Sequence, residues 1–227
     1  MKNNQYLIID TSTKTGSVCI YANGEIQRVH IWGSKNNHTA ELLPAIKMLM
    51  DLESTHISEF NGIVVSIGPG GFSAIRTGIA VGQGLAMGAS LPIVGVNSLE
   101  TSAYSLRHIN KQICSLIPAG RENIAWCTYA MDSSGWRIIT EEKITKISEF
   151  VKSQSSIKNT CFCGEGLTPD IVELLEAHYK IELLRVEDSP VLARLKGAIE
   201  IGINLLSSQE NLTNNIEPKY LRPPSIT

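Results

Sequence analysis

The sequence predicts an α/β fold with mixed sheets, divided into two similar halves. Strand-rich meanders stand at two places, near the N-terminus and again from Ile113 to Thr140. Between them, two runs that read as buried strands, Gly62–Gly68 and Leu91–Val96, enclose a helix-length segment, the pattern of a β-α-β crossover. The 227 residues, 43% apolar and 19% charged, suffice for one large core or two small ones and argue against disorder.

Taken in order, "QYLIID" (Gln5 to Asp10) and "GSVCIYA" (Gly16 to Ala22) are strand-like, and Asn23-Gly24 ahead of "EIQRVHIW" is a strong type I′ hairpin signal. Polar "GSKNNHT" leads into "AELLPAIKMLMDLE", where Leu42, Leu43, Ile46, Leu49 and Met50 recur at helical spacing. Pro44 should kink that helix or lie close to its start. After the crossover, with its helix over Ala74–Ala89, a helix is expected from Ser98 to His108. "ICSLIPAG" and "NIAWCTYAMDSSGWRIIT" then restart the strands around a Ser-Ser-Gly turn. The second half alternates: helix near Ile147–Val151, strand "TCFCGEG", helix Pro169–Tyr179, strand "IELLRV", helix Val191–Leu206. This order divides the chain into a lobe over residues 1–107, a second over 108–190, and a helix and tail over 191–227 that return toward the first.

The formal charge of -2 comes without a basic block, so the chain carries no nucleic-acid footprint of its own, and any RNA contact needs a partner. "MKNNQYLIID" holds no apolar run long enough for a signal peptide, and a cytoplasmic location is expected. The five cysteines, Cys19, Cys114, Cys127, Cys161 and Cys163, lack zinc spacing and read as reduced core residues; Cys161 and Cys163 would share one face of a strand. The glycine-rich segment carries Arg76 and Gln83 and is too short in apolar residues to span a membrane.

That segment, "SIGPGGFSAIRTGIAVGQGLAMGAS", holds seven glycines. A glycine inside a helix costs roughly 1 kcal/mol relative to alanine. Two gains can offset the loss: backbone N–H groups of Gly68-Pro69-Gly70-Gly71-Phe72-Ser73 cradling an anion, or a smooth helix face that admits another backbone. The loop lacks the lysine and hydroxyl of a Walker loop, and its spacing does not match the dinucleotide fingerprint. On a helix, Gly78, Gly82 and Ala86 form one small-residue stripe and Ala80, Gly84 and Gly88 another, with Ile75, Ile79, Val81, Leu85 and Met87 between them. Apart from Arg76, Thr77 and Gln83 the helix is apolar nearly all round. One side can pack on the flanking strands; the other requires a second subunit or the chain's own second half.

"GPGGFSAIRTGIAVGQGLA" followed by "PIVGVNSLETSA" resembles the GPGSFTGLRIG signature of the TsaB (YeaZ-like) family of threonylcarbamoyladenosine biosynthesis proteins. "LIIDTSTKTGSVCI", "HTAELLPAI" and the closing "EPKYLRPP" fit the same family. The likeness is dense from Tyr6 to Ala103 and sparse from about Lys111 to Glu217. It implies a two-lobed actin-like ATPase fold (ASKHA, ribonuclease H-like) and kinship with the metal-dependent enzyme TsaD of the M22 glycopeptidase-like group. Departures are Gly71, Ser73 and Ala74, where the family has Ser, Thr and Gly, and Pro118, which replaces an acid in the hairpin "PAGRENIAW".

The TsaD-like enzymes carry H-M-E-G-H after the fifth strand, two histidines on one helical face that hold a metal. Here the segment reads Ser98-Leu99-Glu100-Thr101-Ser102, and a hydroxyl is a poor substitute for imidazole. His30, His38, His56, His108 and His178 contain no i, i+4 pair. No catalytic residue and no metal site are therefore expected. Asp10-Thr11-Ser12 stands where such enzymes place a phosphate-binding carboxylate, so Asp10, Thr11, Ser12, Gly68, Gly70 and Gly71 form a remnant nucleotide site or, on the plainer reading, an Asx or Ser turn. The isolated chain needs no cofactor, while a nucleotide at a partner interface stays open.

Ile75, Arg76, Gly78, Ile79, Gly82, Gln83 and Ala86 are the expected partner interface. Two functions follow. The resemblance implies a non-catalytic dimerisation subunit that supports a TsaD-like enzyme, with a TsaE-like ATPase in the complex, in forming threonylcarbamoyladenosine at position 37 of tRNA. Such a chain would self-dimerise in isolation and meet tRNA only through the complex. The alternative is an active phosphotransferase or M22-like metallopeptidase using Asp10 and the Gly68–Gly71 loop.

Overall fold

The computed structural model describes residues 4–35, 37–154, 157–185, 189–208 and 216–222. Within them lie two five-stranded mixed sheets, not one continuous sheet. In the first, β1 (Gln5–Asp10) pairs antiparallel with β2 (Thr15–Ala22), and β2 with β3 (Glu25–Gly33). Asn23 and Gly24 take φ of 55° and 86°, the left-handed pair that a type I′ hairpin requires. On its other side β1 pairs in parallel with β4 (Gly62–Gly68), and β4 with β5 (Ile93–Asn97), giving the order β3-β2-β1-β4-β5. β1 and β4 are central and buried on both faces, which is why they read as unbroken apolar runs.

Two helices line one face of this sheet. α1 (His38–Leu52) runs through Pro44 and turns Leu42, Ala45, Ile46 and Leu49 inward, while α2 (Phe72–Ala89) turns Ile75, Gly78, Ile79, Gly82 and Ala86 inward. Their buried side chains join Leu7, Ile9, Val18, Ile20, Ile63 and Val65 in one core. α2 begins two residues before the expected Ala74. It ends at Ser90, whose φ of 54° is left-handed and closes the helix through N–H bonds to Ala86 and Met87.

The second sheet has the order β10-β9-β6-β7-β8, from β6 (Gln112–Pro118), β7 (Asn123–Asp132), β8 (Gly135–Lys146), β9 (Thr160–Cys163) and β10 (Leu184–Arg185). Alternate residues serve its two faces. Cys114, Leu116, Trp126 and Phe162 pack with α4 (Ile147–Lys152) and α5 (Pro169–Tyr179) through Phe150, Val151, Ile171 and Leu175. Ile113, Ile117, Cys127, Tyr129 and Cys163 pack instead with Leu99 and Ala103 of α3 (Ser98–Tyr104). β9 stops at Cys163 because Gly164 turns to φ 95°. α3 stops at Tyr104, short of the expected His108, and the chain goes on in tight turns with Leu106 N bonded to Ala103 O and Arg107 N to Tyr104 O. Val186 of the "IELLRV" strand, and Pro223 and Pro224 of "EPKYLRPP", lie outside the described residues.

The chain forms two compact units: Met1–Ser98 with Ala198–Lys219, and Leu99–Gly197 with Tyr220–Thr227. α6 (Pro190–Ser208) contributes to both. In the first unit Gly202 lies so close to Val64 that a β-carbon would overlap it, which brings α6 down onto β4. In the second unit Gly197 lies equally close to the Thr101 carbonyl of α3.

Candidate functional site

The end of β1 and the start of α2 bring Asp10, Thr11, Ser12, Gly68, Gly70 and Gly71 together. Asp10 is 1% exposed, and its Oδ1 accepts bonds from Ser12 N at 2.9 Å and Ser12 Oγ at 2.7 Å, an Asx turn. Thr11 Oγ1 donates to Ala74 O at 2.7 Å, and Gly71 N donates to Ser12 O at 2.8 Å. A β-carbon at Gly70 would overlap the Ser12 carbonyl, and one at Gly78 would stand 2.5 Å from Thr11 Oγ1. These glycines let the two loops and the helix close on one another. The Gly71 N–H, one of the groups that an anion cradle would use, is already engaged by the protein.

The neighbouring turn is tied in the same way. His38 Nε2 lies 3.0 Å from Thr13 O, which fixes the start of α1 to this loop, and Ser34 N donates to Lys14 O at 2.7 Å. Trp32 covers Gly16, where a β-carbon would overlap its ring, and donates through Nε1 to Glu41 Oε2 at 3.0 Å.

Of the seven residues expected to face a partner, Ile75, Gly78, Ile79, Gly82 and Ala86 point into the chain's own core. A β-carbon at Gly82 would stand 3.2 Å from Ile93 Cδ1 and 3.7 Å from Ile9 Cδ1. This corrects the sequence-based orientation: the Gly78–Gly82–Ala86 stripe packs on the sheet. Arg76 is exposed, with its guanidinium 4.0 Å over the Phe72 ring. Gln83 is half-buried, and its Nε2 donates to Ile216 O at 3.3 Å. The outward face is the other stripe, Ala80, Gly84 and Gly88, with Ser73, Arg76 and Met87, which is 75% exposed. Beyond the helix's own backbone, nothing among the described residues lies within 4 Å of a β-carbon built on Gly84 or Gly88. α1 lies beside α2, with Thr39 Oγ1 3.2 Å from Thr77 Oγ1, and exposes Leu43, Pro44, Met48 and Leu52. Leu43, grouped by its spacing with the buried Leu42, Ile46 and Leu49, thus faces outward, and Pro44, Met48 and Leu52 follow one another at a spacing of four beside it.

On α3, Ser98 and Ser102 are fully buried one turn apart. The Ser102 carbonyl receives the Cys163 thiol at 3.8 Å. Among the described residues, no three His, Cys, Asp or Glu side chains gather as a metal-holding group. In the "PAGRENIAW" hairpin, Ala119 N donates to Asn123 O at 3.0 Å, and Ala119 O receives Arg222 Nη2 at 2.9 Å.

One charged pair was not foreseen. Arg194, fully buried, donates from Nη1 to Glu165 Oε1 at 2.8 Å, in a turn whose flanking Gly164 and Gly166 press on the β6 backbone at Leu116 and Ile117. All five cysteines are buried, and none is joined in a disulfide. Burial pushes Cys19 and Cys114 up to about 12, and holds Cys161 and Cys163 above the ordinary thiol range. Among the described residues, no helix is long and apolar enough to cross a membrane.

Two mixed sheets with crossover helices, and loops joined at the carboxyl end of the first strand, define a protein of the actin-like ATPase fold. A Bacteroides thetaiotaomicron protein of that fold superposes with a TM-score of 0.50 at 10% identity, covering 86% of this chain and 96% of that one. A Pseudomonas aeruginosa protein with similarity to peptidase YEAZ superposes with a TM-score of 0.71 at 20% identity, over 96% of this chain and 100% of that one. Residues 33–181 match the family described as TsaD: tRNA N6-adenosine threonylcarbamoyltransferase, and the chain belongs to this family as a TsaB/YeaZ-like member. It is 32% identical over 143 residues to the tRNA threonylcarbamoyladenosine biosynthesis protein TsaB of Escherichia coli, 62% of each chain, so the match spans less than two thirds of that relative's length. It is 25% identical over 208 residues to the Haemophilus influenzae protein of the same name, covering 82% of this chain and 87% of that one.

Proposed function

We propose that this chain is the non-catalytic subunit of a tRNA N6-adenosine threonylcarbamoyltransferase assembly, supporting a TsaD-like enzyme in forming threonylcarbamoyladenosine at position 37 of tRNA. The observation that carries this reading is the buried pair Ser98 and Ser102, two neutral hydroxyls in place of metal-binding imidazoles. The loops around Asp10 support it, because the Asp10 carboxylate and the Gly71 N–H are engaged by Ser12. We place the lobe division at the limits of the two compact units. The partner surface is the outer face of α2, Ser73, Arg76, Ala80, Gly84, Met87 and Gly88, extended by Leu43 and Met48 of α1. It meets a second copy of the chain in isolation and the TsaD-like subunit in the working complex, which a TsaE-like ATPase joins. tRNA is met through the complex, in the cytoplasm.

The test is reconstitution. The chain, the TsaD-like protein and both together are assayed for threonylcarbamoyl transfer to tRNA, with metal content measured on protein purified without chelator. Transfer that requires both proteins, with near-stoichiometric metal on the partner alone, is expected. Turnover by the isolated chain, or zinc or iron bound to it near Ser98–Ser102, overturns the reading.

A further inference from the structure

α2 is weak in its own right. Its N-cap, Gly71, supplies no side-chain hydrogen bond, and Gly78, Gly82, Gly84 and Gly88 lower its intrinsic helix stability. The helix therefore depends on anchors from elsewhere in the chain, and two of them come from the C-terminal tail. Lys219 N donates to Ile67 O at 2.7 Å, immediately before the Gly68–Gly71 loop. The Lys219 carbonyl then lies over Gly68, 2.8 Å from where its β-carbon would stand, and Gly68 itself takes a φ of 105°. Three residues earlier in the tail, Ile216 is 8% exposed within the core that α1 and α2 share, and its carbonyl accepts the Gln83 side chain at the middle of α2.

We propose that Ile216–Lys219 is a strap that fixes the glycine loop and α2 in place, and that its docking sets how well the outer face of α2 is presented to a partner. This rests on the reading of α2 as the association helix. The Lys219 N–H bond to Ile67 O, the Gln83 bond to Ile216 O and the buried Ile216 side chain all lie outside the strand pairing of either sheet, so their loss leaves both ladders intact. Release frees Ile67 O and Gln83 and opens the core beside Gly95, where Ile216 Cγ2 stands 3.1 Å from the β-carbon position. A loosened tail thus weakens association at residues that touch no partner.

The experiment uses full-length chains. Lys219→Pro deletes the N–H that bonds Ile67 O, next to an existing proline; Ile216→Ser removes the buried aliphatic group. Amide hydrogen exchange is followed over residues 68–83, with residues 123–131 of β7 as the internal control, and affinity for the TsaD-like protein is measured in parallel. Both variants should exchange at least about ten-fold faster over 68–83, leave the control unchanged, and bind the partner about ten-fold more weakly. Unchanged exchange over 68–83 overturns the strap. Faster exchange with undiminished affinity overturns its control of association. If the wild-type chain fails to bind the partner at all, the functional reading falls, and the exchange result alone decides whether the strap exists.

Discussion

The main chain at Gly70 passes so close to the carbonyl oxygen of Ser12 that no β-carbon fits between them. Together with the bond from Gly71 N to Ser12 O, this contact joins the end of β1 to the start of α2 and accounts for a glycine that phosphate binding is not needed to explain. Gly70→Ala should therefore destabilise the chain by about 1 to 3 kcal/mol, the usual range for overpacking where a neighbour cannot retreat. Urea unfolding of the variant against wild type measures it. A change below about 0.5 kcal/mol, the scale of ordinary surface substitutions, would mean that the two loops are not held as described.

The buried Arg194–Glu165 pair predicts an asymmetric pattern of losses. Arg194→Met leaves the Glu165 carboxylate, 17% exposed, without its cation and should cost about 3 kcal/mol. Arg194→Met combined with Glu165→Gln should recover part of that loss, since the Glu165 charge left behind by the single change is then removed as well. Thermal unfolding of both single variants and the double variant gives the coupling. Strictly additive losses would show that the two side chains do not act as a pair.

The thiols set a limit on alkaline stability. Cys19 and Cys114 are pushed up to about 12 by burial, and Cys161 and Cys163 are raised by the same cause. In the unfolded chain a thiol ionises near pH 8.5, while Cys19 and Cys114 stay protonated in the fold well above that. Their contribution is therefore complete below about pH 8, and is lost as pH climbs through 9 toward 12, by about 1.4 kcal/mol per pH unit per group. Cys19→Ala should reduce that slope by about one group's share in denaturant titrations between pH 8 and 10.5. A slope equal to wild type would contradict it. At pH 8 the native chain should resist a thiol reagent that labels all five cysteines after denaturation.

Local signals made much of this fold legible. β1, β4 and α5 occupy the spans their residues predict, because central strands read as unbroken apolar runs and a proline opens α5 after Thr168. The facing of α2 was not legible. Small and apolar residues surround the helix, so periodicity offers two equivalent stripes, and only the positions of Thr11, Ile9 and Ile93 decide that Gly78 and Gly82 turn inward. Arg194 was hidden for a related reason: on a pattern alone, an arginine marks a solvent face, and its partner stands in a turn 29 residues away. The tail around Ile216 and Lys219 carries no element signal, since its contacts are made at long range.

Because α2 has glycines on both faces, substitutions at neighbouring turns separate the core from the association surface. Gly82→Leu places atoms against Ile93 and Ile9 and should destabilise the monomer itself by about 1 to 3 kcal/mol, so it cannot serve as a clean probe of association. Gly84 is different: beyond the helix's own backbone, a β-carbon there meets nothing among the described residues within 4 Å. Gly84→Ala should stabilise the isolated chain by about 0.5 to 1 kcal/mol, since alanine is the better helix former and no neighbour objects. Gly84→Trp should leave the fold intact, yet hold any facing helix away from α2 and weaken the partner complex by about ten-fold or more, because contact at a small-residue stripe depends on close backbone approach. Light scattering and copurification with the TsaD-like protein, with urea unfolding of each variant alongside, read both effects. If a folded Gly84→Trp chain associates as tightly as wild type, the outer stripe of α2 is not the contact surface, and the exposed Leu43, Met48 and Leu52 of α1 become the next place to look.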